Sequence, residues 1–198
     1  MPRIEPMPLK TEDAEVRAVF DDFLRERGNV PNLFRTYARR LEMMTSSFEH
    51  FRKLMYTGTV PVAEKELAAV RTSQINGCRY CMASHIMLAK KFGMSRGKFE
   101  RLGLWNAQPG TTTAIGDGAP SIDEVLGDDD DSVWSAKERA ILKIADSLTR
   151  DAISLSDALW DEACAVYPQE EVMEIIGVVC QFNYYNRFAN ALEIEITR

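Results

Sequence analysis

Residues Glu66 to His85 read ELAAVRTSQINGCRYCMASH, and the rest of the chain is organised around them. The stretch holds Cys78 and Cys81 in a Cys-x-x-Cys spacing, with His85 four residues after the second cysteine and Glu66 twelve before the first. A break at Asn76-Gly77 predicts a helix starting there, with Cys78 in its first turn. At about 100° per residue, Cys81 and His85 then fall within an arc of ~60° from Cys78, so three reactive side chains share one face. Asn76 is placed to cap the free amides. The helix N-terminus would direct partial positive charge at the thiols and raise their thiolate fraction.

Outward from this stretch the chain reads as helix after helix. On the N-terminal side, residues 11–27 carry Val16, Val19, Phe20, Phe23 and Leu24 at helical spacing, and Gly28 follows as a stop. Asn32 is expected to cap a helix with Leu33, Phe34, Tyr37, Leu41 and Met44 that runs or bends into a second with Phe48, Phe51, Leu54 and Met55. A loop over 56–61 ends at Pro61, and the helix bearing Glu66, Leu67 and Val70 follows. Gly93 closes the cysteine helix, and a short helix runs from Ser95 to near Gly103. Residues 105–132 change composition toward Gly, Thr, Pro and Asp, which predicts a mobile connector or lid with one helical turn at 122–126. Its acidic run, Asp128 to Asp131, reads as a solvated loop.

Ser135 with Glu138 forms a capping-box pattern that opens a helix through Leu148. Ser156 opens another, ending before Pro168. The last helix runs from about Gln169 into Leu192, and its middle, Ile175 to Cys180, is apolar on every side, as expected of a helix central to the core or shared between subunits. No strand-period segment of useful length occurs, so the fold class is all-α, about eight helices in a single domain over 1–198. A faint echo between 63–68 and 136–141 suggests a two-lobed pseudo-repeat.

Composition bounds the function. A net charge of −6 over 198 residues argues against nucleic acid or anionic membrane as a partner. The start, MPRIEPMPLK, has no apolar leader core, and no apolar run is long enough to span a bilayer, so a cytoplasmic location is expected. Four cysteines in an intracellular chain of this size do not make a secreted disulfide framework, and a Cys-x-x-Cys there is catalytic or metal-binding. A thiolate can be generated beside an imidazole oriented by a carboxylate. After attack on a peroxide oxygen, a sulfenic acid can condense with a second thiol one helical turn away, and a dithiol reductant can reopen the bond.

The pattern Glu66-x11-Cys78-x2-Cys81-x3-His85, with Asn76-Gly77 before it, Tyr80 within it and Ala89 to Gly93 after it, resembles the AhpD-like alkylhydroperoxidase branch of the carboxymuconolactone decarboxylase family. The recognisable core covers roughly 60–94. The resemblance implies a helical fold and a homo-oligomer, commonly a trimer or hexamer. It implies hydroperoxide reduction without haem, flavin or metal, with electrons from a dithiol donor such as a lipoyl or thioredoxin-like protein. Carried onto these residues, Cys81 is the peroxide-attacking thiol, Cys78 the resolving and more exposed partner, and Glu66 with His85 the proton relay. Where such members often have a second histidine between the cysteines, this chain has Arg79 and Tyr80.

Other readings of the same residues stay open. The cysteines and His85 could supply three of the four ligands zinc prefers, with Glu66 or a distant thiol as the fourth. A lyase acting on a small carboxylated lactone, or a non-enzymatic thiol sensor, are competing classes. Glu64 lies close enough to Glu66 to confuse the register. Tyr80 reads as a pocket wall or an interface residue ahead of an acid. Cys164 and Cys180 read as small hydrophobes. Asn183, Asn186, Arg187 and Asn190 recur at helical spacing, as a solvated face or caps for neighbouring helices, or as a subunit interface or substrate-cavity wall in which Arg187 holds an anion.

Overall fold

A computed structural model describes residues 1–107, 114–128, 133–151 and 155–197. Among these residues there are ten α-helices, one short 3-10 turn and no strand. They are α1 (Ala14–Arg27), α2 (Asn32–Tyr37), α3 (Leu41–Tyr56), α4 (Val62–Ile75), α5 (Arg79–Lys91), α6 (Arg96–Arg101), α7 (Ile122–Leu126), α8 (Ala136–Arg150), α9 (Asp157–Cys164) and α10 (Gln169–Ala191), with the 3-10 turn at Gly116–Gly118. The count exceeds eight because the chain breaks between α2 and α3, and because α6 and α7 are single short turns.

Local chemistry accounts for most boundaries. Asp13 caps α1 by accepting from Glu15 and Val16 backbone amides, and Gly28 closes it in the left-handed conformation (φ 76°). Both halves of the capping box form at Ser135–Glu138, and a second box forms at Ser121–Glu124. Ser156 caps α9 through the Leu159 amide. Asn32 does not act as a cap: Pro31 occupies that position, and the Asn32 side chain accepts from Arg35 and donates to the Glu195 carbonyl.

α4 is the axis of the molecule. It packs against α8, α5, α10 and α3, and every residue from Lys65 to Gln74 is buried. α10 lies across it and also touches α3, α5, α8 and α9. Its central apolar stretch is not buried on all sides: Val178 and Val179 are in the core, whereas Cys180 is exposed. An aromatic cluster of Phe23, Phe34, Phe48, Phe51 and Tyr185 fastens α1, α2 and α3 onto α10, with neighbouring ring centroids 4.3–6.2 Å apart.

The expected connector over 105–132 is only partly within the described residues: 108–113 and 129–132 lie outside them, and with them most of the acidic run. The part that is described is anchored. The buried Arg71 guanidinium donates to the Pro120 carbonyl, Gln74 donates to the carbonyls of Leu102 and Ala114, and Val125 is fully buried beneath Trp134, whose indole N–H donates to the Val125 carbonyl. No helix among the described residues is long and apolar enough to cross a membrane.

Candidate active site

One tight turn ends α4 and begins α5. Gly77 takes a left-handed conformation (φ 64°), its amide donates to Gln74 and the Cys78 amide reaches back to the Ser73 carbonyl. That is a Schellman closure, and the positive φ explains the glycine. Cys78 is then the N-cap of α5, its Sγ accepting from the Cys81 amide at 3.4 Å. The expected capping by Asn76 does not occur. Its side-chain amide turns the other way and donates to Asn183 and Asn186 at 2.9 and 3.0 Å, because those α10 residues lie against the end of α4.

Both thiols are free and buried. The Cys81 thiol hydrogen-bonds to the Cys78 sulfur, which lowers Cys78 below the ordinary thiol range; the amides of Cys81 and Tyr80 and the side chain of Asn186 favour its anion further. The same sulfur–sulfur bond, together with burial, holds Cys81 well above that range. Of the two, Cys78, at the positive end of α5, is therefore the thiol that ionises first. Cys78 is 0% exposed and Cys81 3%. The expectation that Cys78 is the more accessible thiol is corrected: as the N-cap it is turned inward, while Cys81 lines a cavity.

Glu66 is fully buried on α4, and its Oε2 lies 2.7 Å from Nδ1 of His85 on α5. A buried carboxylate at that nitrogen fixes the tautomer with the proton on Nδ1, leaving Nε2 as the basic position. Phe182 holds the imidazole edge-to-face at 4.6 Å between centroids. The register ambiguity resolves at the same time: Glu64 faces away from the histidine and accepts from the Tyr167 hydroxyl at 2.6 Å.

Cys81 and His85 open on one inner cavity of about 30 Å3, walled by Tyr80, Ser84, Phe182 and Arg27 among others. No hydrogen bond joins His85 to either sulfur among the described residues, so the two groups communicate through whatever occupies this space. Tyr80 is a wall: its hydroxyl accepts from the Leu33 amide at 3.0 Å, and burial pushes it up to about 12. Arg27, Pro31 and Ser84 also line a larger outer cleft of about 440 Å3. The cleft and the inner cavity form a funnel with Arg27 at the neck. No reading of the 66–85 pattern could supply Arg27, which comes from the far end of α1.

The polar stripe on α10 supports the turn. Asn186 is fully buried and donates to the Ser73 hydroxyl, and Asn190 donates to the Asn76 carbonyl. Arg187 is exposed and lies along its own helix, donating to the Asn183 carbonyl and side chain at 3.0 and 2.6 Å. It lines neither cavity of the funnel. Cys164 is half-buried and Cys180 exposed, so burial does not account for the latter. Among the described residues no group of three or more His, Cys, Asp or Glu is placed to hold a metal ion.

Residues 42–124, which contain the whole quartet, match the carboxymuconolactone decarboxylase family. A curated relative, the uncharacterized protein YdfG of Bacillus subtilis (strain 168), is 23% identical over 129 residues, 65% of this chain and 72% of its own. Two solved structures share the fold over nearly the full length. One is an uncharacterized peroxidase-related protein from Silicibacter sp. TM1040, at 21% identity with a TM-score of 0.73, covering 96% of this chain and 90% of that one. The other is an AhpD-core, peroxidase-related protein from Ralstonia eutropha JMP134, at 18% identity with a TM-score of 0.74, covering 98% and 93%. The debrominase Bmp8 is also similar, at 18% identity with a TM-score of 0.73, covering 98% and 91%. The segment that bears the site is similar to the carboxymuconolactone decarboxylase family over residues 42–124, and the full length takes the AhpD-like helical fold.

Proposed function

We propose that the protein is a thiol-dependent peroxidase that reduces organic hydroperoxides with Cys81 and Cys78, assisted by Glu66 and His85. The observation that carries this reading is the cavity shared by Cys81 and His85, with the imidazole held at 2.7 Å by a fully buried carboxylate. His85 Nε2 takes the Cys81 proton, and the sulfur attacks the distal peroxide oxygen. The O–O bond breaks, Cys81 becomes a sulfenic acid, and the alkoxide leaves as an alcohol with the proton returned by His85. Cys78, as thiolate, then attacks the Cys81 sulfur. Hydroxide departs and is protonated to water, leaving a Cys78–Cys81 disulfide. A cavity of about 30 Å3 is narrow, so the reacting end of a hydroperoxide enters it and the body of the substrate stays in the outer cleft.

Reduction needs a dithiol donor, a lipoyl or thioredoxin-like protein. Because Cys78 is sealed and Cys81 faces the funnel, the donor's thiolate reaches Cys81, and Cys78, the more acidic thiol, is the better leaving group. The setting is a cytoplasmic homo-oligomer, trimer or hexamer.

The competing reading is a lyase on a carboxylated lactone, which the cations of the outer cleft would suit. Adding an organic hydroperoxide to reduced protein and following thiols by mass spectrometry separates the two. The peroxidase loses two thiols, forms a Cys78–Cys81 bond, and loses all turnover in Cys81→Ser. Thiols that persist, or lactone turnover that survives Cys81→Ser, overturn the proposal.

A further inference from the structure

We infer that the outer cleft selects hydroperoxides carrying a carboxylate on an apolar body, and that Arg27 is the residue that reads the carboxylate. The inference rests on the peroxidase reading for its chemistry, but the binding site stands on its own observations. At about 440 Å3 the cleft is within the range of small-molecule sites. Tyr56, Met87 and Phe92 line it, and each is substantially exposed, giving an apolar wall open to solvent.

The charges in the cleft are unbalanced. Glu26 is held by Arg52 at 3.3 Å, whereas the side chains of Arg27 and Lys91 make no hydrogen bond or ion pair among the described residues. Arg27 is half-buried with its guanidinium 5.8 Å from the centre of the Phe51 ring. Arg27 borders the cavity that holds Cys81, and Lys91 lines the outer cleft alone, in a protein whose net charge is −6. A planar guanidinium steadied by an aromatic ring, with its hydrogens unspent, presents a fork for a carboxylate. Lys91, farther out and exposed, adds attraction without geometry. Because Arg27 borders both the cleft and the inner cavity, a carboxylate bound to it places a hydroperoxide a few carbons away at the entrance to Cys81, while the rest of the apolar body lies along Tyr56, Met87 and Phe92.

The test compares a fatty acid whose hydroperoxide lies within a few carbons of its carboxylate with the methyl ester of the same hydroperoxide, which differ in the one charge. The wild-type protein is expected to favour the acid by about tenfold in kcat/KM, as a solvent-accessible charge-assisted contact allows. The ratio should fall to near one in Arg27→Gln and recover in part in Arg27→Lys. Equal use of acid and ester by the wild type, or a preference that survives Arg27→Gln, overturns the inference. A second measurement does not need turnover: binding of an unreactive fatty acid and of its methyl ester to Cys81→Ser protein by titration calorimetry. If no hydroperoxide oxidises the thiols and the acid still binds better than the ester through Arg27, the peroxidase reading falls and the carboxylate site stands. If the thiols are oxidised and neither measurement separates acid from ester, the carboxylate site falls alone.

Discussion

α4 buries three charged side chains, and they are treated in two different ways. Lys65 and Arg71 are used as fasteners. The Lys65 ammonium donates to the carbonyls of Leu54 and Thr57 and pairs with Glu174, which in turn accepts from the amides of Thr59 and Val60. Arg71 pairs with Asp146 and donates to Gln74 and the Pro120 carbonyl, leaving one guanidinium nitrogen, Nε, without a partner. Glu66, next to Lys65 in the chain, makes one bond to His85, and its Oε1 is buried with no partner from the protein. The fasteners are nearly satisfied and tie α4 to neighbouring helices and to the loops at Thr57 and Pro120. The carboxylate is half satisfied and backs a group that opens on a cavity. Burial of a charge on this helix therefore does not by itself mark function; an incomplete set of partners beside a cavity does.

Substitutions can break that contrast or sharpen it. Arg71→Ala should have the largest effect, lowering stability by about 3–5 kcal/mol in urea unfolding, because Asp146 is left without its main partner and the attachment to the Pro120 carbonyl is lost. Glu66→Gln should do the reverse. Hydroperoxide turnover should fall by about 10²-fold while stability changes by no more than about 1 kcal/mol, since the amide can still accept from His85 but no longer supports a charged imidazole. If Glu66→Gln lowers stability by several kcal/mol while the folded protein keeps its turnover, the contrast is wrong. Gly77→Ala should cost about 1 kcal/mol, read as a lower melting temperature, for forcing a Cβ into the left-handed region.

The smallest effect is electrostatic. In Cys81→Ala the thiol that donates to Cys78 is gone, so the thiolate absorbance step of Cys78 should move to higher pH. The sign follows from linkage. A depressed native value means that Cys78 contributes stability above the ordinary thiol pKa and loses it as pH falls through the native value, so the alkaline gain shrinks in the variant. An unmoved step would mean that the helix terminus alone sets its acidity.

The helices were legible because their signals are local. Ser135, Ser156 and Gly28 act within one turn, and the spacing of Glu66, Cys78, Cys81 and His85 survives as geometry because one short turn joins the two helices that carry them. What could not be read came from burial and from distance in sequence. Lys65 and Arg71 sit in a stretch rich in Glu, Lys and Ala, which resembles any solvated helix; only packing by four other helices puts them inside. The inward turn of Cys78 depends on its becoming a cap, which requires that Asn76 be drawn off by α10. Arg27 enters from α1, and nothing near the motif announces it.

Asn76 and Gly77 carry one more consequence. An asparagine followed by glycine is the pair most prone to lose its side-chain nitrogen, because the glycine amide can attack the neighbouring carboxamide. Here that attack is blocked: the carboxamide is pinned to Asn183 and Asn186, and the glycine nitrogen is committed to Gln74. The native state thus protects the bond, and time spent unfolded exposes it. Chains aged under partly denaturing conditions will accumulate aspartate or isoaspartate at residue 76, with an acceptor where the α10 asparagines need a donor, so chemical ageing at this one link keeps a record of how long each molecule has been open.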